Sequence, residues 1–176
     1  ANWYTYHKAY GATKYLTLDR THAAVANTYL NNTEPTSSVI TLNNTFEVNG
    51  VNENIICYAW TSVEGYSAFG SYTGNGSSDG PFVFCGFRPR WILVKNTSIN
   101  GSNWRIVDTA RNTYNEANLL LNPNSSNDEQ TTTANEFDIL SNGFKLRGTD
   151  NDTNGSAETL IYAAFAEHPF KTSRAR

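Results

Sequence analysis

The sequence predicts an all-β protein, an antiparallel β-sandwich of jelly-roll or lectin-like type, in two related units of which the first is incomplete. Three observations carry that reading. Apolar runs of about 4–8 residues alternate with clusters of Asn, Gly, Ser, Thr and Asp, as in strands joined by turns. Five Asn-Gly pairs (Asn49-Gly50, Asn75-Gly76, Asn100-Gly101, Asn142-Gly143 and Asn154-Gly155) mark tight hairpins with positive φ. No apolar pattern of helical period runs for a convincing length; one helical turn near Thr21–Leu30 is expected at most.

In chain order the expected strands are Trp3–Lys8, Lys14–Asp19, Val39–Leu42, Thr45–Val48 and Asn54–Thr61. Phe69–Thr73, Phe82–Phe87, Trp91–Asn96, Trp104–Asp108 and Asn118–Asn122 follow, then Phe137–Leu140, Gly143–Arg147 and Glu158–Ala166. Pro89 suits the start of a strand, where no ladder donor is needed.

An internal repeat divides these strands. Asn2-Trp3 matches Asn103-Trp104, and KYLTLD, ending at Asp19, matches NLLLN, ending at Asn122. SSVITLNNTFEV matches NEFDILSNGFKL with Phe46 opposite Phe144, and NIICYAW matches TLIYAAF with Trp60 opposite Phe165. The period is roughly 100 residues, the size of a small sandwich unit rather than of a solenoid repeat. The boundaries expected are residues 1–66 for a partial first unit and 67–176 for a complete second one. The segment YTGNGSSDGPFVFCGFRPRWILVKN precedes Trp104 but has no counterpart before Trp3. Upstream residues or another chain are therefore expected to supply the missing strands, because an open sheet edge invites association.

Composition narrows the function. Charged residues are only 16% of the 176, the net charge is -3, and no Lys/Arg stripe is present, which argues against nucleic acid as a partner. No apolar run approaches the roughly 20 residues of a membrane-spanning helix, so no membrane insertion is expected. The first residues, ANWYTYHKAY, lack a charged stretch followed by an apolar one, so they are not expected to act as a secretory leader. Aromatics reach 13% and cluster near the start. Trp3, Tyr4 and Tyr6 put rings on both faces of one strand, so one set is left for an interface or for stacking on sugars. Tyr72 and Asn75 lie in the run Tyr-Thr-Gly-Asn-Gly, read first as a structural turn and second as a ligand loop. Arg88 and Arg90 are expected at the sandwich rim, paired with carboxylates or facing an anionic sugar. Cys57 and Cys85 have no metal-type spacing and read as buried free thiols, with a disulfide as the alternative.

Asp150, Asp152, Asn154 and Gly155 begin like a calcium-binding EF-hand loop, with Glu158 nearby. Ile161 stands where a bidentate Glu is required, and a strand follows instead of a helix. A solvated hairpin loop is the leading reading, Ca2+ the minor one, and no cofactor is otherwise expected. His7, His22 and His168 are isolated, and no nucleophile elbow or phosphate loop occurs. Glu64 and Glu167 could be a glycosidase pair, but two uses of one structural position is simpler. The chain is expected not to be an enzyme.

Two blocks carry a resemblance. The run WTSVEGYSAFGSYTGNGSSDGPFVFCGFRPRWILVKNTS, and the pairing of NGFKLRG with LIYAAFAEHPFKTSRAR, resemble a domain of tail fibres and virion structural proteins of tailed bacteriophages, especially marine ones. The resemblance implies a β-sandwich in the virion tail or fibre, made in the cytoplasm of a bacterial host. It implies other copies of the chain as partners, most simply a homotrimer, together with other virion tail proteins. Host-surface polysaccharide is a further partner it suggests. A structural or receptor-binding module leads. A secreted bacterial lectin-like adhesin and a polysaccharide depolymerase domain are the competing readings.

Overall fold

The computed structural model describes residues 2–169. Its elements in chain order are β1 (Tyr4–Thr5), β2 (Lys14–Thr17), β3 (Val25–Ala26), α1 (Phe46–Asn49), β4 (Ser67–Thr73), β5 (Phe82–Phe84) and β6 (Pro89–Asn96). Then come β7 (Trp104–Asp108), β8 (Leu119–Leu120), β9 (Gln130–Thr131), β10 (Phe137–Leu140), β11 (Gly143–Leu146), α2 (Asn151–Asn154) and β12 (Thr159–Ala166). The strand pairs are antiparallel, and helix among the described residues is confined to two four-residue turns. The protein is all-β and sandwich-like.

A four-stranded sheet in the order β4-β12-β6-β7 faces a three-stranded sheet β10-β11-β5. Side chains alternate across each strand, so Leu160, Tyr162 and Ala164 of β12 and Ile92 and Val94 of β6 point inward. They meet Val83, Phe137, Ile139, Phe144 and Leu146 of the opposing sheet. The outer face of the four-stranded sheet is covered as well. Leu16 of β2 packs there on Trp104 and Ile161, with Leu93 alongside. The indole Nε1–H of Trp104 donates to the Thr17 carbonyl at 2.9 Å, and Ala24 N–H donates to the Thr97 carbonyl. The sheet β1-β2-β3 is thus a third layer.

A repeat is visible in the structure; the matches of Trp3 with Trp104 and of Trp60 with Phe165 keep the register the sequence suggests, while the two middle matches shift. Lys14 and Tyr15 pair with Ala26 and Val25; Leu119 and Leu120 pair with Thr131 and Gln130, each 105 residues later. Trp3 N–H donates to the Asp19 carboxylate as Trp104 N–H donates to the Asn124 side chain. Asp19 therefore corresponds to Asn124, not Asn122. The turns α1 and α2 keep the same spacing and end at Gly50 and Gly155. Asn52 and Ala157 follow with φ of 63° and 61°. Phe46 consequently belongs to a helical turn equivalent to α2 and not to a strand, and its position is that of Asn151 rather than Phe144.

Further expectations are corrected. Thr21–Leu30 contains the short strand β3 and no helical turn. Val39–Leu42 and Asn54–Thr61 form no strand. Where β10 has Phe137 and Ile139, the first unit has Asn32 and Glu34 at the same spacing, and Asn31 and Asn32 take positive φ. Polar side chains at inward positions remove the driving force for a second sheet. The Asn-Gly pairs also divide. Gly76 and Gly101 take positive φ, whereas Gly50, Gly143 and Gly155 do not: the pairs at Gly50 and Gly155 close helical turns, and Gly143 is already paired in β11.

Candidate functional site

The second unit's polar cluster sits at one end of the four-stranded sheet, around α2. Asp150 caps that turn by accepting from Asp152 N–H, and Asp152 is paired with the buried Arg105 at 2.6 Å. Asp152 also accepts from the backbone and side chain of Asn103. The Asn154 amide donates to Asn75 Oδ1 and to the Ser77 and Gly148 carbonyls, while Asn75 N–H donates back to Asn154 Oδ1. Glu158 accepts from Asn96. The residues that resemble a calcium loop are therefore held by protein donors, and Asp152, Thr153 and Asn154 are buried. The expectation of a solvated hairpin loop is corrected: the segment is a clamped, buried turn. No group of three or more His, Cys, Asp or Glu able to hold a metal occurs among the described residues.

This clamp explains the Tyr-Thr-Gly-Asn-Gly run. A Cβ at Gly74 would lie 2.2 Å from the Gly155 carbonyl oxygen, so the loop can approach α2 only through glycine. Tyr72 is turned inward, and its hydroxyl donates to the Thr153 carbonyl. Burial raises its pKa well above that of a free phenol. Tyr72 and Asn75 are fixed parts of the frame. Arg88 Nε donates to Glu167 at 2.7 Å and Arg90 lies 3.7 Å from the same carboxylate, so the rim arginines are paired. Glu64 lines a depression with Phe84, Cys85, Phe87 and His168, whereas Glu167 is engaged by the arginines.

Lys95 is the other notable group. It sits in β6 between Ile161 and Trp104 on the covered outer face, wholly buried, and its ammonium donates to the Asn96 carbonyl at 2.6 Å. Burial lowers its pKa to about 8, partly offset by the nearby Asp152.

The first unit's aromatics separate into two sets. Tyr4, Tyr15 and Tyr29 form an edge-on cluster with His22 beside Tyr15, and Tyr6 donates to Glu34. Trp3 stands outside it. It is 55% exposed and stacks on Tyr58, with centroids 6.3 Å apart and planes at 25°. Tyr58 stacks in turn on Trp60 at 6.0 Å and 23°. Ile56 on the same run is 73% exposed. Sequence reasoning named Trp3 but missed Tyr58 and Trp60, because their segment reads as a buried strand. Cys57, on that segment, is exposed rather than buried; Cys85 is half-buried, and both thiols are free.

A family model for a domain of unknown function, DUF7483, matches residues 1–169, and the chain belongs to that family. No curated protein and no solved structure matches it.

Proposed function

We propose that this member of the DUF7483 family is a non-enzymatic structural module of a bacteriophage tail fibre or tail-associated virion protein, working through protein surfaces. The observation that carries the reading is the number of large apolar side chains the first unit leaves exposed. Val39, Phe46, Val51, Ile55, Ile56, Tyr58 and Trp60 are exposed beside a tightly packed sandwich. Apolar surface left open in this amount suits a segment that other protein surface covers. The resemblance of the Trp60–Ser98 and Asn142–Gly148 blocks to tail-fibre sequences supports the virion setting, and the low charge suits packing against other tail proteins. The second half of that resemblance's closing block, beyond Pro169, lies outside the described residues. Gold-labelled antibody raised against the chain should decorate the tails of purified phage particles; labelling of bacterial cell surfaces in the absence of phage would favour the adhesin instead.

A second reading, receptor binding, is favoured by the Trp3–Tyr58–Trp60 stack alone. Three near-parallel exposed rings leave apolar ring surface against which sugar rings can stack. Host-surface polysaccharide should then quench tryptophan fluorescence in the intact chain, and Trp3→Ala should abolish the response.

A further inference from the structure

The chain contains its own example of how one unit seats on another. Inside the molecule, the sheet β1-β2-β3 lays Leu16 on Trp104 and Ile161, and Thr17 accepts the Trp104 indole proton. Each half of that junction has a counterpart elsewhere in the chain. The seated half recurs as β7-β8-β9: Leu121 corresponds to Leu16, Asn122 to Thr17, and the Ile106–Leu121 bridge to the Thr5–Leu16 pair. Of the receiving half, two side chains recur, Trp3, equivalent to Trp104, and Ile56, equivalent to Ile161; the strand β6 that lies between that pair in the second unit has no equivalent among the described residues of the first.

Both counterparts are open. Leu16 is fully buried, but Leu121 is 37% exposed, with Leu119 and Ile106 partly exposed and Pro123 exposed. Trp104 and Ile161 are buried, but Trp3 and Ile56 are 55% and 73% exposed. The free seat is the more apolar of the two, since Leu119 replaces Lys14 and Ile106 replaces Thr5. Asn122 O keeps the turn bond from Ser125 that Thr17 O receives from Arg20.

We propose that copies of this chain associate head to tail. The Leu121 face of one copy docks on the exposed Trp3 and Ile56 side chains of the next, on the pattern of the chain's own contact of Leu16 with Trp104 and Ile161. The contact joins two different surfaces, so it closes into a ring such as a trimer or runs on as a filament. It uses the rings that a sugar platform would need, so at Trp3 the two uses exclude each other.

Sedimentation of the full chain should show its mass rising with concentration. Leu121→Asp, with Leu121→Ser as the milder form should the first melt early, removes one face; Ile56→Asp removes the other. Each variant alone should stay a monomer with an unchanged circular dichroism spectrum. An equimolar mixture of a Leu121 variant and Ile56→Asp should give dimers and nothing larger, because only one intact pair of faces remains. A monomer of the unmutated chain at all concentrations overturns the proposal, as does a dimer that survives both variants. Polysaccharide binding at Trp3 by a strictly monomeric chain overturns it in favour of the sugar. Phage labelling is independent of every one of these outcomes.

Discussion

The first and second units share a backbone plan and differ in what the plan encloses. Residues 51–64 are all exposed, although their counterparts in β12 form the central strand of the four-stranded sheet. Ile55, Ile56 and Cys57 stand where Leu160, Ile161 and Tyr162 are buried. The local signals are the same in both: a helical turn, a glycine, a left-handed residue and an apolar run. The difference lies in neighbours. β12 has β4 on one edge and β6 on the other, and β10-β11-β5 lies across its inner face. Among the described residues the first unit has no equivalent of these. Strand propensity does not make a strand without a partner to complete its hydrogen bonds.

The largest effect that would break this comparison is a paired truncation. Phe144 is fully buried and Val39 occupies the equivalent place at 56% exposure. Phe144→Ala should cost about 3–5 kcal/mol and Val39→Ala less than about 0.5 kcal/mol. Urea midpoints by tyrosine and tryptophan fluorescence would measure both. Equal losses would mean that the first unit is packed in solution in a way these exposures do not show.

Lys95 gives a pH test of the junction between the units. Its folded pKa lies near 8 and its unfolded one near 10.5, so the unfolded chain binds the extra proton between those values. Its contribution therefore destabilises below pH 8 and fades as the pH rises toward 10.5. The difference is on the order of 3 kcal/mol. Cys85 opposes it: burial pushes that thiol up to about 12, so the unfolded chain loses a proton from about pH 9 upward and stability falls. The isolating measurement is Lys95→Met against the unmutated chain from pH 7 to 10.5. The variant's advantage should be level up to about pH 8 and shrink from there toward pH 10.5; a constant difference over the whole range would place the ammonium in water.

The clamp on α2 has a smaller, equally local signature. Asn154 makes three donor bonds in a buried site, whereas Asn49, its counterpart, is exposed. Asn154→Ala should cost about 2–3 kcal/mol, and Asn49→Ala only a few tenths. Thermal melts resolve that gap.

What the sequence made legible follows the same division. Ten of the strands overlap runs whose alternation or apolar content announces them, and the hairpin of β10 and β11 closes beside an Asn-Gly pair, though through Ser141-Asn142 and without positive φ at Asn142 or Gly143. The sequence did not show which apolar runs would find partners, because Asn54–Trp60 and Thr159–Phe165 are locally alike. It hid the register as well, since Phe46 and Phe144 share a residue type and not a position. At the candidate site, Trp3 was readable from clustering. Tyr58 and Trp60 were not, because their exposure depends on strands absent from around them. The acidic loop looked like a ligand site because Asp, Asn and Gly serve turn caps and cation loops alike. Only the facing Arg105 and Asn75 distinguish the two.

The smallest effect tests the shared left-handed residue. Ala157 holds φ at 61° and Asn52 holds 63° in equivalent places. Alanine pays roughly 1–2 kcal/mol for that conformation, because its Cβ crowds the following carbonyl. Asn tolerates it better through local side-chain bonding. Ala157 is exposed, so replacing it removes no core contact. Ala157→Gly relieves the strain but gains entropy in the unfolded chain, roughly 0.4–1 kcal/mol in the opposite direction. The net expectation is a stabilisation of up to about 1 kcal/mol for Ala157→Gly, and about zero or a slight loss for Asn52→Gly. The Ala157 turn tethers β12 to the folded sandwich, so its strain should be read fully in the global melt. The Asn52 turn leads into the exposed segment, so its change should be invisible there even where local hydrogen exchange detects it. A gain at Asn52 as large as that at Ala157 would show that the two turns report to one cooperative unit, and would erase the distinction between the two halves of the chain.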